Sequence, residues 1–237
     1  MSTATAGKPS VVLVHGAFSE SSSGSAVITR LLDRGYPAIA VAIPLRGVAS
    51  DAEYLVSILD GIGGDTVLVG HSYGGMIISD ASAGRDDVKG RVFVGGFAPE
   101  AGESAAQLSG RFEGSTLGPT LSSFKLPYGD SDLYIRQDAY HAQFTADSTE
   151  ADAAVMAVTQ RPIAESALGE PAGRPGWKDL PSWFIFGDED RNIPVAAHRF
   201  MAERAGSRRT LEIEGGTHTV GIPEAARVVE LVEEAAG

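Results

Sequence analysis

The chain contains no cysteine among its 237 residues, which excludes disulfide bonds, catalytic thiolates and cysteine-ligated zinc. Basic residues are also few, since 19 Lys and Arg stand against 31 Asp and Glu, for a formal net charge of −12. Phosphate binding needs clustered cations that release counterions, so this balance argues against nucleic acid as a partner. The sequence also lacks the H-E-x-x-H pattern of zinc hydrolases, and we predict neither a metal nor a cofactor.

Long apolar runs are absent as well, and none approaches the roughly 20 residues that a membrane-spanning helix needs. The first ten residues, MSTATAGKPS, carry no apolar segment of the kind found in secretory signals. We therefore expect a cytoplasmic protein with no membrane partner. Hydrophobic residues make up 43% of the chain, enough to bury the core of a single α/β domain. The composition leaves the oligomeric state open.

Short apolar runs alternate with amphipathic helical segments at both ends of the chain. Such alternation predicts an α/β fold with a mainly parallel sheet and helices on both faces. Strands are predicted at 11–15, 36–43, 66–70, 91–95, 182–186 and 210–214, and helices at 26–34, 51–60, 76–83, 195–205 and 224–236.

The alternation stops between residues 99 and 176. This stretch is first rich in Gly, Ser and Pro and then contains two helical segments, 132–144 and 149–160. We therefore predict a core formed by residues 1–98 and 177–237, interrupted by a mainly helical cap at 99–176.

A lone serine separates the third predicted strand from the helix that follows, in Gly70-His71-Ser72-Tyr73-Gly74. This G-x-S-x-G pattern is typical of a nucleophile elbow, a tight turn that exposes the serine hydroxyl. Glycine is needed on both sides because larger side chains would collide across the bend. The positive end of the helix also favours an oxyanion nearby. We predict that Ser72 is a catalytic nucleophile.

A serine hydroxyl needs a base that takes its proton, and histidine is the usual one. His218 follows the last predicted strand in the glycine-rich loop 215–219, which returns to the same edge of the sheet as Ser72. By contrast, His71 stands on the wrong side of the turn, and His198 is expected to be packed or solvated on a late helix. His218 is the predicted base.

The acid that orients this base is expected in the turn 187–194, which carries three carboxylates after a predicted strand. The chain order of serine, acid and histidine matches the order known for nucleophile-elbow hydrolases. Spacing alone leaves both Asp188 and Asp190 open.

Two backbone amides are needed to bind the oxyanion of an acyl-transfer reaction. One belongs to Tyr73, directly after the nucleophile, and the other is expected from Ala17 in the loop after the first strand. Three aromatic side chains are predicted to line the substrate pocket: Phe18, Tyr140 and Phe144.

The segments "VLVHGAF", "LVGHSYGG", "FGDEDRNIP" and "GGTHTV" follow each other in this order. With them the chain resembles the α/β-hydrolase superfamily over nearly its whole length, and is similar to small bacterial esterases related to the plant methylesterase and hydroxynitrile lyase group. The resemblance implies the α/β-hydrolase fold and places the acid at the aspartate of G-x-x-D-x-x-x-P, which is Asp190. Relatives often carry tryptophan where this chain has Gly24. The lyases carry lysine where it has Thr219, so the resemblance favours an esterase.

The leading interpretation is a serine carboxylesterase that acts on small, fairly apolar esters through an acyl-enzyme intermediate. The same triad would also serve hydrolysis of lactones, thioesters or C–C bonds, or perhydrolysis. A ligand receptor built on the hydrolase fold would retain it too. These motifs leave the alternatives open.

Overall fold

A computed structural model describes residues 7–237. The first six residues, part of the stretch considered above as a secretory signal, lie outside the described residues. Across 7–237, no helix combines the length and apolar content needed to cross a membrane. The strands are β1 (Ser10–Val14), β2 (Ala38–Val41), β3 (Thr66–His71), β4 (Val88–Val94), β5 (Leu121–Lys125), β6 (Ser131–Ile135), β7 (Ile163–Ala164), β8 (Ser182–Gly187) and β9 (Arg209–Ile213). The α-helices are α1 (Ser25–Asp33), α2 (Val48–Ile62), α3 (Gly74–Ala81), α4 (Ala105–Gly110), α5 (Gln137–Phe144), α6 (Glu150–Thr159), α7 (Glu165–Gly169), α8 (Val195–Arg204) and α9 (Ala225–Ala236).

Six strands form one parallel sheet in the order β2-β1-β3-β4-β8-β9, which confirms the predicted mainly parallel α/β fold. Val14 of β1 is paired with Gly70 of β3, which is paired with Phe93 of β4. On the other side, Gly187 of β8 is paired with Ile213 of β9. The carboxyl ends of these strands therefore meet along one edge, where open α/β sheets bind their ligands.

Side chains along the strands alternate between two apolar cores. Val11 and Leu13 of β1 belong to the core that includes residues of α1 and α9. Val12 and Val14 belong to the core formed with α2, α3 and α8, where Phe93 and the neighbouring ring of β8 stack with centroids 4.6 Å apart. Because helices cover both faces, the inner strands β1 and β3 carry apolar side chains toward both cores, as the sequence predicted.

The segment 99–176 is less helical than predicted. It holds four helices, α4 to α7, and also an antiparallel sheet in the order β5-β6-β7. The helix expected at 132–144 is wrong in its first part, since β6 occupies 131–135 and α5 begins only at Gln137. Leu133 and Ile135 are buried whereas Tyr134 between them is half-buried, which is the two-residue period of a strand. The boundaries of this segment as a separate cap stay a prediction.

Helix α2 starts three residues earlier than predicted, because a carboxylate from the segment 99–176 satisfies its first amides. Glu170 accepts hydrogen bonds from the backbone N–H groups of Val48 (2.9 Å) and Ala49 (3.0 Å), at the helix end where negative charge is stabilising. Asp51, where this helix was predicted to begin, is instead buried inside it and accepts from the Arg46 amide. A helix of the core thus depends on the inserted segment for its first turn.

Gly74 packs the start of α3 directly against the end of β1. A Cβ atom on Gly74 would lie 2.3 Å from the carbonyl oxygen of Val14 and 2.8 Å from that of His15. Because these are backbone atoms of the sheet edge, we expect Gly74→Ala to lower the free energy of unfolding by about 2–3 kcal/mol. The matched control is Gly61→Ala at an exposed position of α2, where an added Cβ has no neighbour within 4 Å. Helix propensity alone acts there and should raise the free energy of unfolding by up to about 1 kcal/mol. Denaturant unfolding measures both variants, and equal stabilities would contradict this close packing.

Candidate active site

Ser72 stands at the carboxyl end of β3 with a φ of 53°, a left-handed conformation that few non-glycine residues adopt. Its surroundings leave no space for side chains. A Cβ on Gly70 would lie 2.8 Å from the carbonyl oxygen of Gly74, and one on Gly16 would lie 2.5 Å from the Cβ of Ser72. The tight, strained turn predicted from the G-x-S-x-G pattern is therefore present.

A cavity of about 290 Å³ lies beside this turn, and both Ser72 and His218 line it. Its wall is mainly apolar, with Phe18 from the core and Leu117 and Phe144 from the segment 99–176. No Asp, Glu, Lys or Arg contributes to the described wall. Among residues 7–237, no group of three or more His, Asp or Glu side chains is placed to hold a metal ion.

His218 and Asp190 are brought together from two different loops. The Nδ1 of His218 donates to Oδ2 of Asp190 at 2.7 Å, and both side chains are buried. A proton on Nδ1 leaves Nε2 of the neutral ring as an acceptor. No hydrogen bond joins that ring to the hydroxyl of Ser72 within residues 7–237, and such catalytic contacts often tighten only when substrate is bound.

The carboxylate of Asp190 accepts four hydrogen bonds. Its Oδ1 accepts from the amides of Asn192 (2.8 Å) and Ile193 (3.0 Å), and its Oδ2 accepts from His218 and His198. Burial by itself raises the pKa of this carboxyl, but the two histidines outweigh burial and hold its pKa well below the usual range. Asp190 is therefore ionised at neutral pH.

Asp188, the alternative that spacing left open, takes a different position. Its Oδ1 accepts a hydrogen bond from the amide of Gly215 at 2.7 Å, at the base of the loop that carries His218. Of the two aspartates, only Asp190 contacts the histidine ring within the described chain.

His198 is the residue that the sequence interpretation missed. It is fully buried, and its Nε2 lies 3.0 Å from Oδ2 of Asp190. Its ring stacks on Phe186 with centroids 4.9 Å apart. The sequence feature that could have indicated this contact is the spacing, since His198 follows Asp190 by eight residues. This spacing places His198 in the first turn of α8, just beyond the loop that carries Asp190.

His71 contacts the loop of His218 from the end of β3. Its Nε2 donates to the backbone carbonyl oxygen of His218 at 3.0 Å, and the two ring centroids are 4.9 Å apart. Burial, together with the adjacent His218, lowers the pKa of His71 to about 3. His71 is therefore neutral at neutral pH and holds the loop of His218 without adding charge.

The two predicted oxyanion donors line the same cavity as Ser72. Ala17 and Tyr73 both line the cavity, and within residues 7–237 neither backbone N–H donates to another protein group. Phe18, directly after Ala17, has a φ of 59° and thereby turns the loop after β1. Two unpaired amides beside one serine form the donor arrangement that a developing oxyanion needs.

Helix α5 holds two of the loops that build this edge. The hydroxyl of Tyr140 donates to the carbonyl oxygen of Phe18 at 2.7 Å. One turn later, the Nε2 of Gln143 donates to the carbonyl oxygen of Arg191 at 2.9 Å. Phe18 lines the cavity as predicted, but Tyr140 is absent from the wall and instead supports the loop behind it.

The loop of His218 is also held from the segment 99–176. The ring of Phe144, which lines the cavity as predicted, meets the ring of His218 edge-on at 5.0 Å. Asp147 accepts hydrogen bonds from the hydroxyl (2.7 Å) and the amide (3.2 Å) of Thr217. All three loops of the site therefore contact α5 or the residues just after it.

Thr219 and Gly24 are the two positions at which the chain departs from the family that it resembles. Neither residue lines the cavity beside Ser72. Thr219 turns its hydroxyl toward Thr145 and donates to it at 2.7 Å. Gly24 lines a separate cavity of about 60 Å³ with Leu13 and Val27, and this cavity shares no lining residue with the one beside Ser72.

Comparison with known proteins agrees with the fold described above. Residues 11–231 match the alpha/beta hydrolase family. Alpha/beta hydrolase nvfD of Aspergillus novofumigatus is 26% identical over 97% of both chains, and Probable hydrolase R7 of a Phoma species is 26% identical over 77% of this chain and 78% of its own. The crystal structure of polyneuridine aldehyde esterase is similar with a TM-score of 0.81 and 18% identity, over 97% of this chain and 100% of that one. Tomato methylketone synthase I in complex with 2-tridecanone is similar with a TM-score of 0.77 and 20% identity, over 96% and 98% of the two chains.

Proposed function

Because the chain belongs to the alpha/beta hydrolase family, we propose that it is a serine hydrolase that cleaves small, fairly apolar carboxylic esters through an acyl-enzyme intermediate. One observation carries the proposal. A serine in a strained strand–helix turn and a histidine paired with a buried carboxylate line the same mainly apolar cavity.

In the first half of the reaction, the hydroxyl of Ser72 attacks the ester carbonyl while Nε2 of His218 takes its proton. The negative oxygen that forms is bound by the amides of Ala17 and Tyr73, whose N–H groups have no other acceptor among residues 7–237. Asp190 keeps the proton of the neutral ring on Nδ1 and stabilises the imidazolium. The alcohol leaves with the proton that His218 returns.

In the second half, His218 takes a proton from water, and the hydroxide attacks the acyl group on Ser72. The same two amides bind the second oxyanion. Its collapse releases the carboxylic acid and returns the proton to Ser72. No metal or cofactor is needed for either step.

The wall of the cavity supports a neutral substrate with apolar groups. It contains no ionised carboxylate, ammonium or guanidinium group in the described chain, and the net charge of −12 repels anions. Polyneuridine aldehyde esterase, which shares the fold, is by its name an esterase. The proposal also includes that the protein acts in the cytoplasm and has no membrane or nucleic-acid partner.

The same groups would also act on lactones, thioesters or C–C bonds, catalyse perhydrolysis, or hold a ligand as a receptor does. Progress curves with neutral aryl esters test the proposal against these alternatives. We expect many turnovers per protein molecule at a steady rate. A single burst followed by silence would favour a receptor, and activity confined to one of the other bond types would replace the ester assignment.

Ser72→Ala is expected to lower kcat by about 10³-fold or more, because the oxygen that forms the acyl-enzyme is lost. Thermal unfolding should stay close to that of the parent chain, since the removed hydroxyl makes no hydrogen bond among residues 7–237. The control is Ser57→Ala, at an exposed position of α2 where the hydroxyl contacts only the carbonyl of Tyr54. A Ser72→Ala rate above about a tenth of the parent rate would rule out the serine mechanism.

Asp190→Asn is expected to lower kcat by about 10⁴-fold, because an amide donor in place of the carboxylate favours the wrong tautomer of His218. Asp188→Asn is the matched control, since within the described residues Asp188 accepts only from the Gly215 amide, and it should cost less than about tenfold. Both rates are measured with the same aryl ester. If Asp188→Asn proves the more severe change, the acid has been assigned to the wrong residue.

Activity should rise from acetyl to short or medium acyl esters and then fall for long-chain lipids. The reason is that Phe144, Leu117 and Leu168 of the segment 99–176 complete an apolar wall around only about 290 Å³. A series of aryl esters that differ only in acyl length gives kcat/KM for each. A preference for long-chain triglycerides or for phosphorylated substrates would contradict this assignment of the cavity.

A further inference from the structure

One buried histidine at the site has no part in the reaction described so far. Oδ2 of Asp190 accepts hydrogen bonds from His218 at 2.7 Å and from His198 at 3.0 Å, and these three side chains are at most 1% exposed. A serine–histidine–acid triad requires only one histidine on the carboxylate. The second donor on the same oxygen therefore calls for its own explanation.

The hydrogen bonds define the proton state of His198. Its Nε2 must carry a proton, because a carboxylate oxygen can only accept. Its Nδ1 is buried and has no hydrogen-bond partner among residues 7–237, so a proton there would lack an acceptor. His198 thus meets Asp190 as an N–H donor through Nε2, while its Nδ1 faces no acceptor in the described chain.

Apart from each other and His218, Asp190 and His198 form hydrogen bonds with no titratable side chain of the described chain. His71 faces His218 from β3 and is neutral at neutral pH, since burial lowers its pKa to about 3. The charged groups on the adjoining loops, on β9 and on α8 make no hydrogen bond or ion pair with Asp190 or His198: Asp147, Asp188, Glu189, Arg191, Arg199, Glu203, Arg204, Glu212 and Glu214.

We propose that His198 is a positioning residue, which limits how strongly Asp190 holds the imidazolium form of His218. Each donor to a carboxylate stabilises its charge and weakens its attraction for the next cation. Without His198, the negative charge on Oδ2 would act on His218 alone, and the imidazolium would persist to higher pH. His218 must be neutral to take the proton of Ser72, so the rate near neutral pH would fall. The kinetic part of this inference rests on the proposed function.

Three substitutions separate the donor from the packing of the ring. His198→Phe removes the N–H group but keeps an aromatic ring against Phe186, whereas His198→Gln keeps an amide N–H close to the place of Nε2. His141→Gln is the matched control, because the Nε2 of His141 on α5 bonds to the carbonyl of Ser148 instead of a carboxylate.

Two readouts are measured for each variant. One is the pH dependence of kcat/KM with a neutral aryl ester. The other is the NMR titration of the His218 ring without substrate, with its signal assigned by comparison with His218→Gln. We expect His198→Phe to move the midpoint of His218 upward by about one pH unit, both in the pH profile of kcat/KM and in the NMR titration. Below the new midpoint kcat/KM should fall by about tenfold, and at the alkaline plateau it should fall by less than about threefold. His198→Gln should stay within about 0.3 unit of the parent chain, and His141→Gln should not move.

An unchanged midpoint in His198→Phe, or an equal shift in His198→Phe and His198→Gln, would overturn the proposal. If His198→Phe does not fold, His198→Asn replaces it, because its amide is too short to reach Oδ2, and it should shift the midpoint as His198→Phe would. The NMR midpoint needs no turnover. A parent chain without esterase activity whose His218 midpoint still shifts as expected would therefore overturn the proposed function and leave this inference standing.

Discussion

The buried charge of Asp190 is the constraint around which the edge of the sheet is arranged. A carboxylate without solvent is tolerated only when its lone pairs are satisfied, and here four donors surround it. Two are amides of its own loop, one comes from the loop after β9, and one comes from α8. Satisfying this charge therefore fixes three elements relative to one another, and it places His218 at the wall of the cavity.

The segment 99–176 takes part in the same arrangement and does more than cover it. Three residues of α5 make these contacts. Tyr140 contacts the loop after β1, Gln143 contacts the loop that carries Asp190, and Phe144 contacts the ring of His218. Glu170 of the same segment caps a helix of the core. Because polar contacts of this kind couple the elements that make them, a change in the segment should be felt at the site even where it does not touch substrate.

Strain at Ser72 is maintained by this packing. A residue with a φ of 53° relaxes unless its surroundings prevent it, and backbone and side-chain atoms approach Gly16, Gly70 and Gly74 too closely for any Cβ atom. The hydroxyl is therefore held at the edge of the cavity by the register of β1 and β3. The Tyr73 amide belongs to the same turn and the Ala17 amide to the loop after β1, so the hydroxyl and both amides line one cavity.

The sequence by itself determined the parallel sheet, the turn around Ser72 and the loop of His218, because periodicity and glycine spacing are local properties that neighbouring residues impose. Local patterns could not decide between Asp188 and Asp190, which are two residues apart in one acidic turn. They also placed β6 in a helix, since its apolar residues fit both periods until the pairing with β5 selects one. The contact of His198 with Asp190, and the role of Tyr140 behind the wall, depend on how loops distant in the chain pack together. Only the tertiary structure decided these two contacts, because the donors that reach a buried charge or a loop carbonyl are those that lie near it in space and not in sequence.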